Sequence, residues 1–194
     1  MFSLQLEFSL KSCAKLPLVQ HLVGLAAVHA INTHRPEAEL KLKWPNDIYT
    51  SQGIKLGGVV VYSSIFRDRV QLDIGMGLNL NNAEPTVCLN SLLDQPVTRE
   101  EYLAWTFNSL ESFLDAMKSE DGLNKVIDLY HYNWLHSGQR VTIQDGGSKS
   151  EGVVRSIDRD GFLQVEVGSV IRTVHPDGNS FDMMQGLIVP KKTH

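Results

Sequence analysis

Along the first ten residues apolar and polar side chains change places at almost every step: Phe2, Leu4, Leu6, Phe8 and Leu10 alternate with Ser3, Gln5, Glu7 and Ser9. A spacing of two is the period of a strand with one buried face. The period then changes. Pro17 suits a first helical turn, where its missing N–H has no intrahelical partner to lose, and Leu18, Leu22, Leu25 and Ala26 recur at helical spacing to about His34. Leu40, Leu42 and Trp44 alternate with Lys41 and Lys43 and predict a strand that Pro45 ends. Ile54 to Tyr62 and Val70 to Leu80 are β-branched or alternating and predict two more strands.

From Thr98 to His136 the pattern is helical. Tyr102, Trp105, Leu110, Phe113, Leu114 and Met117 fit one helix; Val126, Leu129, Tyr130 and Trp134 fit a second, with Gly122 as the punctuation between them. After Gly138 short apolar runs, "RVTIQ", "GVVRSID", "GFLQVEV" and "VIRTVHP", are separated by glycine turns, the texture of a small β-barrel of SH3-like size. The expected architecture is an α/β (α+β) domain with a mixed sheet and packed helices over residues 1–136, followed by an SH3-like barrel over 137–194. "HPDGNSFDMM", from His175 to Met184, is expected to be a barrel-closing loop.

Composition narrows the function classes. Hydrophobic residues make up 42% and charged residues 21% of the 194, which is ordinary for a globular chain. With 18 basic and 22 acidic residues the formal net charge is −4, so no general basic field exists to hold nucleic acid or an anionic membrane. Cys13 and Cys88 have no paired spacing and are expected as two buried thiols in a reducing compartment. The longest apolar stretch, Leu16 to Ile31, is interrupted by polar residues and is too short to span a bilayer, and the alternating start carries no signal-peptide pattern. A cytoplasmic location is the default, with a mitochondrial pool left open.

Two stretches carry candidate chemistry. In "KWPNDIYTSQGIKLGG", Lys43 to Gly58, a turn near Ser51 to Gly53 would bring Asp47 roughly opposite Lys55 and its neighbours, and Gly57 and Gly58 would let a ligand approach the backbone. A solvated hairpin with an incidental ion pair fits the spacing equally. In "LDIGMGLNLNN" a strand would point Leu72, Ile74, Met76, Leu78 and Leu80 inward and Asp73, Gly75, Gly77, Asn79 and Asn81 outward. Something must cover the exposed backbone at Gly75 and Gly77: a flat ligand, or a helix or loop of the chain itself. A dinucleotide fingerprint is excluded, because the third glycine position is Leu80 and no helix follows. The seven histidines include no zinc-binding pair, and no nucleophile motif is present.

"KWPND" at Lys43 to Asp47, "KLGGVVV" at Lys55 to Val61, "IGMGLNLNN" at Ile74 to Asn82, "PTVCLNSLL" at Pro85 to Leu93 and "VHPDGNSFDMMQGLIVP" near the end occur in this order. Together they resemble the biotin protein ligase family, and the closing segment resembles its eukaryotic branch, the holocarboxylase synthetases. The resemblance implies a ligase that forms biotinyl-5′-AMP from biotin and ATP, with Mg²⁺, and passes the biotin to a lysine on the biotin carboxyl carrier domains of apo-carboxylases. It implies that Lys55 contacts the biotin carboxylate and the α-phosphate, and that Asp47 sits near the incoming lysine. Lys43, Trp44, Asn46, Gly57, Gly58, Gly75, Gly77 and Asn79 would surround biotin and adenylate, with Asn79 also meeting phosphate or Mg²⁺.

The resemblance departs at one point. Family members carry a glycine- and arginine-rich loop shortly before the strand that begins here, so the chain is expected to be N-terminally incomplete in its catalytic domain. Two further readings follow: a non-catalytic module that binds carrier domains, and a lipoate ligase, since lipoate ligases share the catalytic fold. No helix-turn-helix precedes the catalytic part, so no nucleic-acid partner is expected.

Overall fold

The alternating N-terminal stretch forms strand β1 (Phe2–Ser9), with Phe2, Leu4, Leu6 and Phe8 half-buried and the residues between them exposed. A computed structural model of the chain describes residues 1–10, 16–82, 87–145, 148–176, 179–183 and 185–190. Helix α1 (Pro17–His34) follows, with proline in its first turn as expected. Its buried residues, from Leu18 to Ile31, lie on all sides of the helix, which therefore sits between layers of other structure instead of on a surface.

Strands β2 (Leu40–Lys43), β3 (Asp47–Thr50), β4 (Lys55–Phe66) and β5 (Arg69–Leu78) join β1 in one sheet of order β1-β5-β4-β3-β2, with every ladder antiparallel. One isolated parallel bridge adds Trp134 to Leu42. The β4–β5 hairpin is four residues longer on β4 than Ile54 to Tyr62 predicts. "SSIF" continues the strand, and Arg67, with φ of 58°, turns the chain beside Asp68. Conversely β5 stops at Leu78, so Asn79 lies beyond the strand and not within it.

The inner face of the sheet carries Leu40, Leu42, Ile48, Leu56, Val59, Val70, Leu72, Ile74 and Met76, all fully buried. Helices α2 (Arg99–Ala116) and α3 (Glu120–Asn133) pack with α1 in this half of the molecule. Thr98 caps α2: its hydroxyl accepts from the Glu101 N–H at 3.2 Å, and the Glu101 carboxylate accepts from the Thr98 N–H at 2.9 Å. Gly122 does not separate the two helices as expected. It lies inside the first turn of α3, whose cap is Ser119, where a Cβ would fall 2.2 Å from the Ala116 carbonyl oxygen. No helix among the described residues is long and apolar enough to cross a membrane.

The residues divide into two compact units, Met1–Leu135 and His136–His194. The second is built from β6 (Arg140–Asp145), β7 (Ser148–Ile157), β8 (Leu163–Val167), β9 (Val170–Val174), β10 (Asn179–Asp182) and β11 (Leu187–Pro190), in the order β10-β11-β6-β7-β8-β9. Val141, Ile143, Val154, Leu163, Val165, Val174, Phe181 and Ile188 fill its core. The stretch expected as a closing loop instead holds β10 and leads into β11, an antiparallel pair that docks onto β6 through a parallel ladder. Asp177, Gly178 and Met184 of that stretch lie outside the described residues. Among the described residues the fold is mixed α/β, with two sheets and three α-helices, its second part of the SH3-like barrel class. Cys88 is half-buried and free, where a buried thiol was expected, and Cys13 lies outside the described residues.

Two predictions follow from these contacts. Thr98→Ala removes one side of the capping box and should lower stability by about 1 kcal/mol, read from urea unfolding at neutral pH. Burial and the neighbouring His34 push the His29 imidazole down from its usual pKa of 6.5, and burial pushes His131 down against the opposite pull of Asp128. The folded chain therefore binds these protons less readily than the unfolded chain, so stability is undiminished above 6.5 and falls as pH drops from there through the lower folded values. The urea midpoint should decrease between pH 7.5 and 5.5, and the decrease should be smaller in a His29→Gln/His131→Gln variant.

Candidate functional site

Strands β2 and β3 pair with Lys43 directly across from Asp47. The Asp47 carboxylate therefore lies between two ammonium groups. Lys55 Nζ is 2.7 Å from Oδ1 and Lys43 Nζ is 3.6 Å from Oδ2. Asp47 does not face Lys55 across the hairpin; it pairs with Gly58, while Lys55 pairs with Tyr49. The register shifts between Ile48 and Tyr49, and the extra residue on β4, Leu56, turns into the core. A bulge of this kind re-aims the side chain beside it, and here it directs Lys55 back along the sheet to Asp47.

Neighbouring groups hold the carboxylate in place. A Cβ at Gly58 would lie 3.0 Å from Asp47 Oδ1, so glycine leaves that oxygen its room. Asn46 fixes the preceding turn to β4: its amide donates to the Val59 carbonyl at 2.7 Å, and its own carbonyl accepts from the Val59 N–H at 2.8 Å. The structure thus gives Asn46 a structural task. Trp44, expected to contact the ligand, is corrected. Only 1% of it is exposed, so its ring belongs to the core and offers no face to a ligand. Burial and the charge of Asp47 raise the Tyr49 phenol pKa above its usual value, so this ring stays neutral beneath Lys43, whose Nζ is 5.9 Å from its centroid.

Beside this charged corner the outer face of the sheet carries glycines. Gly58 pairs with Gly77 and Val60 with Gly75 across β4 and β5. The four glycines are not alike. A Cβ on Gly57 would meet the Gly77 carbonyl oxygen at 2.2 Å, so Gly57 serves the close approach of two strands. A Cβ on Gly75 or Gly77 would meet nothing within 4 Å among the described residues. No helix or loop of the described chain lies on them, and the floor is open. Lys55, Gly57, Gly58, Gly77, Asn79 and Asn82 line a cleft of about 520 Å³ over part of this floor, together with Met1 and the edge of the core.

Asparagines form another part of the cleft's edge. The Asn79 N–H donates to the Leu56 carbonyl at 2.8 Å, its carbonyl accepts from the Leu89 N–H, and its side-chain oxygen accepts from the Asn82 amide at 3.2 Å. Asn90 ties the rim to the approach of α2: its amide donates to Asn81 Oδ1 at 2.5 Å and to the Val97 carbonyl at 3.0 Å, and its oxygen accepts from the Val97 N–H at 2.8 Å. Residue-by-residue reading assigned Asn90 no role. Its one signal was its place in "PTVCLNSLL", of which Pro85 and Thr86 lie outside the described residues. Among the described residues no group of three or more His, Cys, Asp or Glu is arranged to hold a metal ion.

Residues 1–79 match the Biotin/lipoate A/B protein ligase family and residues 136–184 the Biotin protein ligase C terminal domain. The chain belongs to the biotin protein ligase family. It is 37% identical to the Biotin--protein ligase of Homo sapiens over 191 residues, covering 92% of this chain and 26% of that one. It is 33% identical to Biotin--protein ligase 2 of Arabidopsis thaliana over 205 residues, covering 97% and 61%. The chain thus spans less than two thirds of these relatives. Among solved structures, biotin protein ligase from Aquifex aeolicus aligns with a TM-score of 0.67 at 20% identity, over 89% of this chain and 77% of that one. The same protein in complex with biotin and ATP aligns at 0.64. At that identity the likeness is one of fold.

The different surroundings of the glycines in this biotin protein ligase family member predict different mutants. Gly75→Val should leave the unfolding midpoint close to that of the parent, whereas Gly57→Val, which would drive Cβ into backbone, should prevent stable folding, both read by circular dichroism. Asn90→Ala leaves a half-buried N–H and carbonyl of Val97 without their partner and should lower stability by about 1–3 kcal/mol in urea unfolding.

Proposed function

We propose that the chain binds biotinyl-5′-AMP in the cleft between Lys55 and Asn79 and passes the biotin to a lysine of a biotin carboxyl carrier domain of an apo-carboxylase. The observation that carries this reading is the open floor at Gly75 and Gly77 with the Lys55 ammonium at its edge. A floor without side chains admits a flat or extended group against the main chain, and a cation at the rim neutralises a carboxylate or phosphate lying on it.

In the first half-reaction a biotin carboxylate oxygen attacks the α-phosphorus of ATP and pyrophosphate leaves. In the second, a carrier amine attacks the acyl carbon of the mixed anhydride and AMP leaves with the bonding electron pair. Lys55 acts in both by stabilising the negative charge that gathers on the oxygens between acyl carbon and phosphorus. Asp47, 2.7 Å from Lys55, orients the incoming amine in this reading and accepts hydrogen bonds from it as it loses its proton. Asn79 would be the residue to hold Mg²⁺, through its side-chain oxygen, a donor of the kind this ion prefers, and the ion would supply positive charge to the phosphates of ATP. Gly57, Gly58 and Gly77 contribute main chain to the cleft and Gly75 extends its floor.

The test supplies synthetic biotinyl-5′-AMP and an apo carrier domain to the purified chain and follows biotinylation by mass spectrometry, with lipoyl-AMP as the competing substrate. Biotin transfer should exceed lipoyl transfer, and Lys55→Ala should reduce it by about 10²–10³-fold. Pyrophosphate release from biotin, ATP and Mg²⁺ reports the first half-reaction separately. Transfer unaffected by Lys55→Ala overturns the assignment, and carrier binding without transfer indicates a docking module instead.

A further inference from the structure

Two oxygens of one carboxylate and two ammonium groups of unequal freedom make up the charged corner. Lys55, on Asp47 Oδ1 at 2.7 Å, is the exposed partner: 54% of its side chain faces solvent. Lys43, 3.6 Å from Oδ2, is the confined one, with 16% exposed. Lys43 is held in register opposite Asp47, with its amine over the neutral Tyr49 ring. The carboxylate itself is confined by the Asn46–Val59 hydrogen bonds and by Gly58. In the free chain, then, the amine nearest the open floor is already engaged by an anion of the protein.

An anionic ligand on that floor must compete with Asp47 for Lys55. Were Lys55 to leave, a carboxylate 15% exposed would lose its nearer counter-charge, which is unfavourable in a partly desolvated place. Lys43 removes that obstacle. We infer that Lys43 is a positioning residue: when the ligand draws Lys55 onto its own oxygens, Asp47 transfers to Lys43, which keeps the carboxylate in place and off Lys55. This rests on the adenylate reading above and adds to it an ion-pair exchange, with Lys55 moving and the Lys43–Asp47 pair closing from 3.6 Å.

Direct attraction and exchange predict different couplings. If Lys43 acted on the ligand itself, its removal would weaken binding whether or not Asp47 were charged. If it acts through Asp47, the loss depends on Asp47. The experiment measures biotinyl-5′-AMP binding to the full chain by calorimetry for the parent, Lys43→Met, Lys43→Arg, Asp47→Asn and Lys43→Met/Asp47→Asn, each checked for a native far-UV spectrum.

Lys43→Met should weaken binding about tenfold, Lys43→Arg should restore most of it, and in the Asp47→Asn background Lys43→Met should change affinity by less than about twofold. Asp47→Asn alone should bind the adenylate at least as tightly as the parent, since Lys55 is released, while slowing transfer to the carrier. Equal losses from Lys43→Met in both backgrounds, or weaker binding by Asp47→Asn, overturn the exchange and leave the adenylate site standing. A parent chain that binds no biotinyl-5′-AMP overturns both.

Discussion

A sheet that must bury one face completely and leave part of the other without side chains is the constraint on which the first unit is built. The inner face, from Leu40 on β2 to Met76 on β5, is closed by the three helices, and this burial holds the strands in register. Only because that face is so well fixed can the outer one give up side chains at Gly58, Gly75 and Gly77 without the strands fraying. Glycine weakens a strand on its own account, and the packed face offsets the loss.

Register then does the chemistry's positioning. The single irregularity between β3 and β4 turns Leu56 inward and sends Lys55 along the sheet to Asp47, while the regular β2–β3 ladder places Lys43 on the other carboxylate oxygen. Such placement is more accurate on strands than on a loop, because ladder hydrogen bonds to a neighbouring strand fix each backbone position. The asparagine part of the cleft's edge does sit on irregular chain, and there Asn79, Asn82 and Asn90 supply the hydrogen bonds that a ladder would otherwise provide.

The glycines show that one residue type answers two needs. Gly57 is required by the protein itself, since Gly77's carbonyl lies where its Cβ would be; a Cβ on Gly75 or Gly77 would meet nothing within 4 Å among the described residues. Among the described residues the alternative of a chain segment lying on Gly75 and Gly77 is removed.

Much of this was legible in sequence wherever a period of two or 3.6 was long enough to state which face is buried: β1, α1, the paired strands around Gly75, the helical run after Thr98 and the short strands after Gly138. Local chemistry likewise marked Lys43, Asp47, Lys55 and the glycines as a group. What sequence could not decide was anything set by a partner distant along the chain. The bulge at Leu56, the structural task of Asn46, the end of β5 before Asn79 and the pairing of β11 with β6 all depend on which backbone lies alongside. Periodicity describes one segment at a time, whereas register, close approach and the sharing of one carboxylate by two lysines exist only once segments from different parts of the chain are packed together.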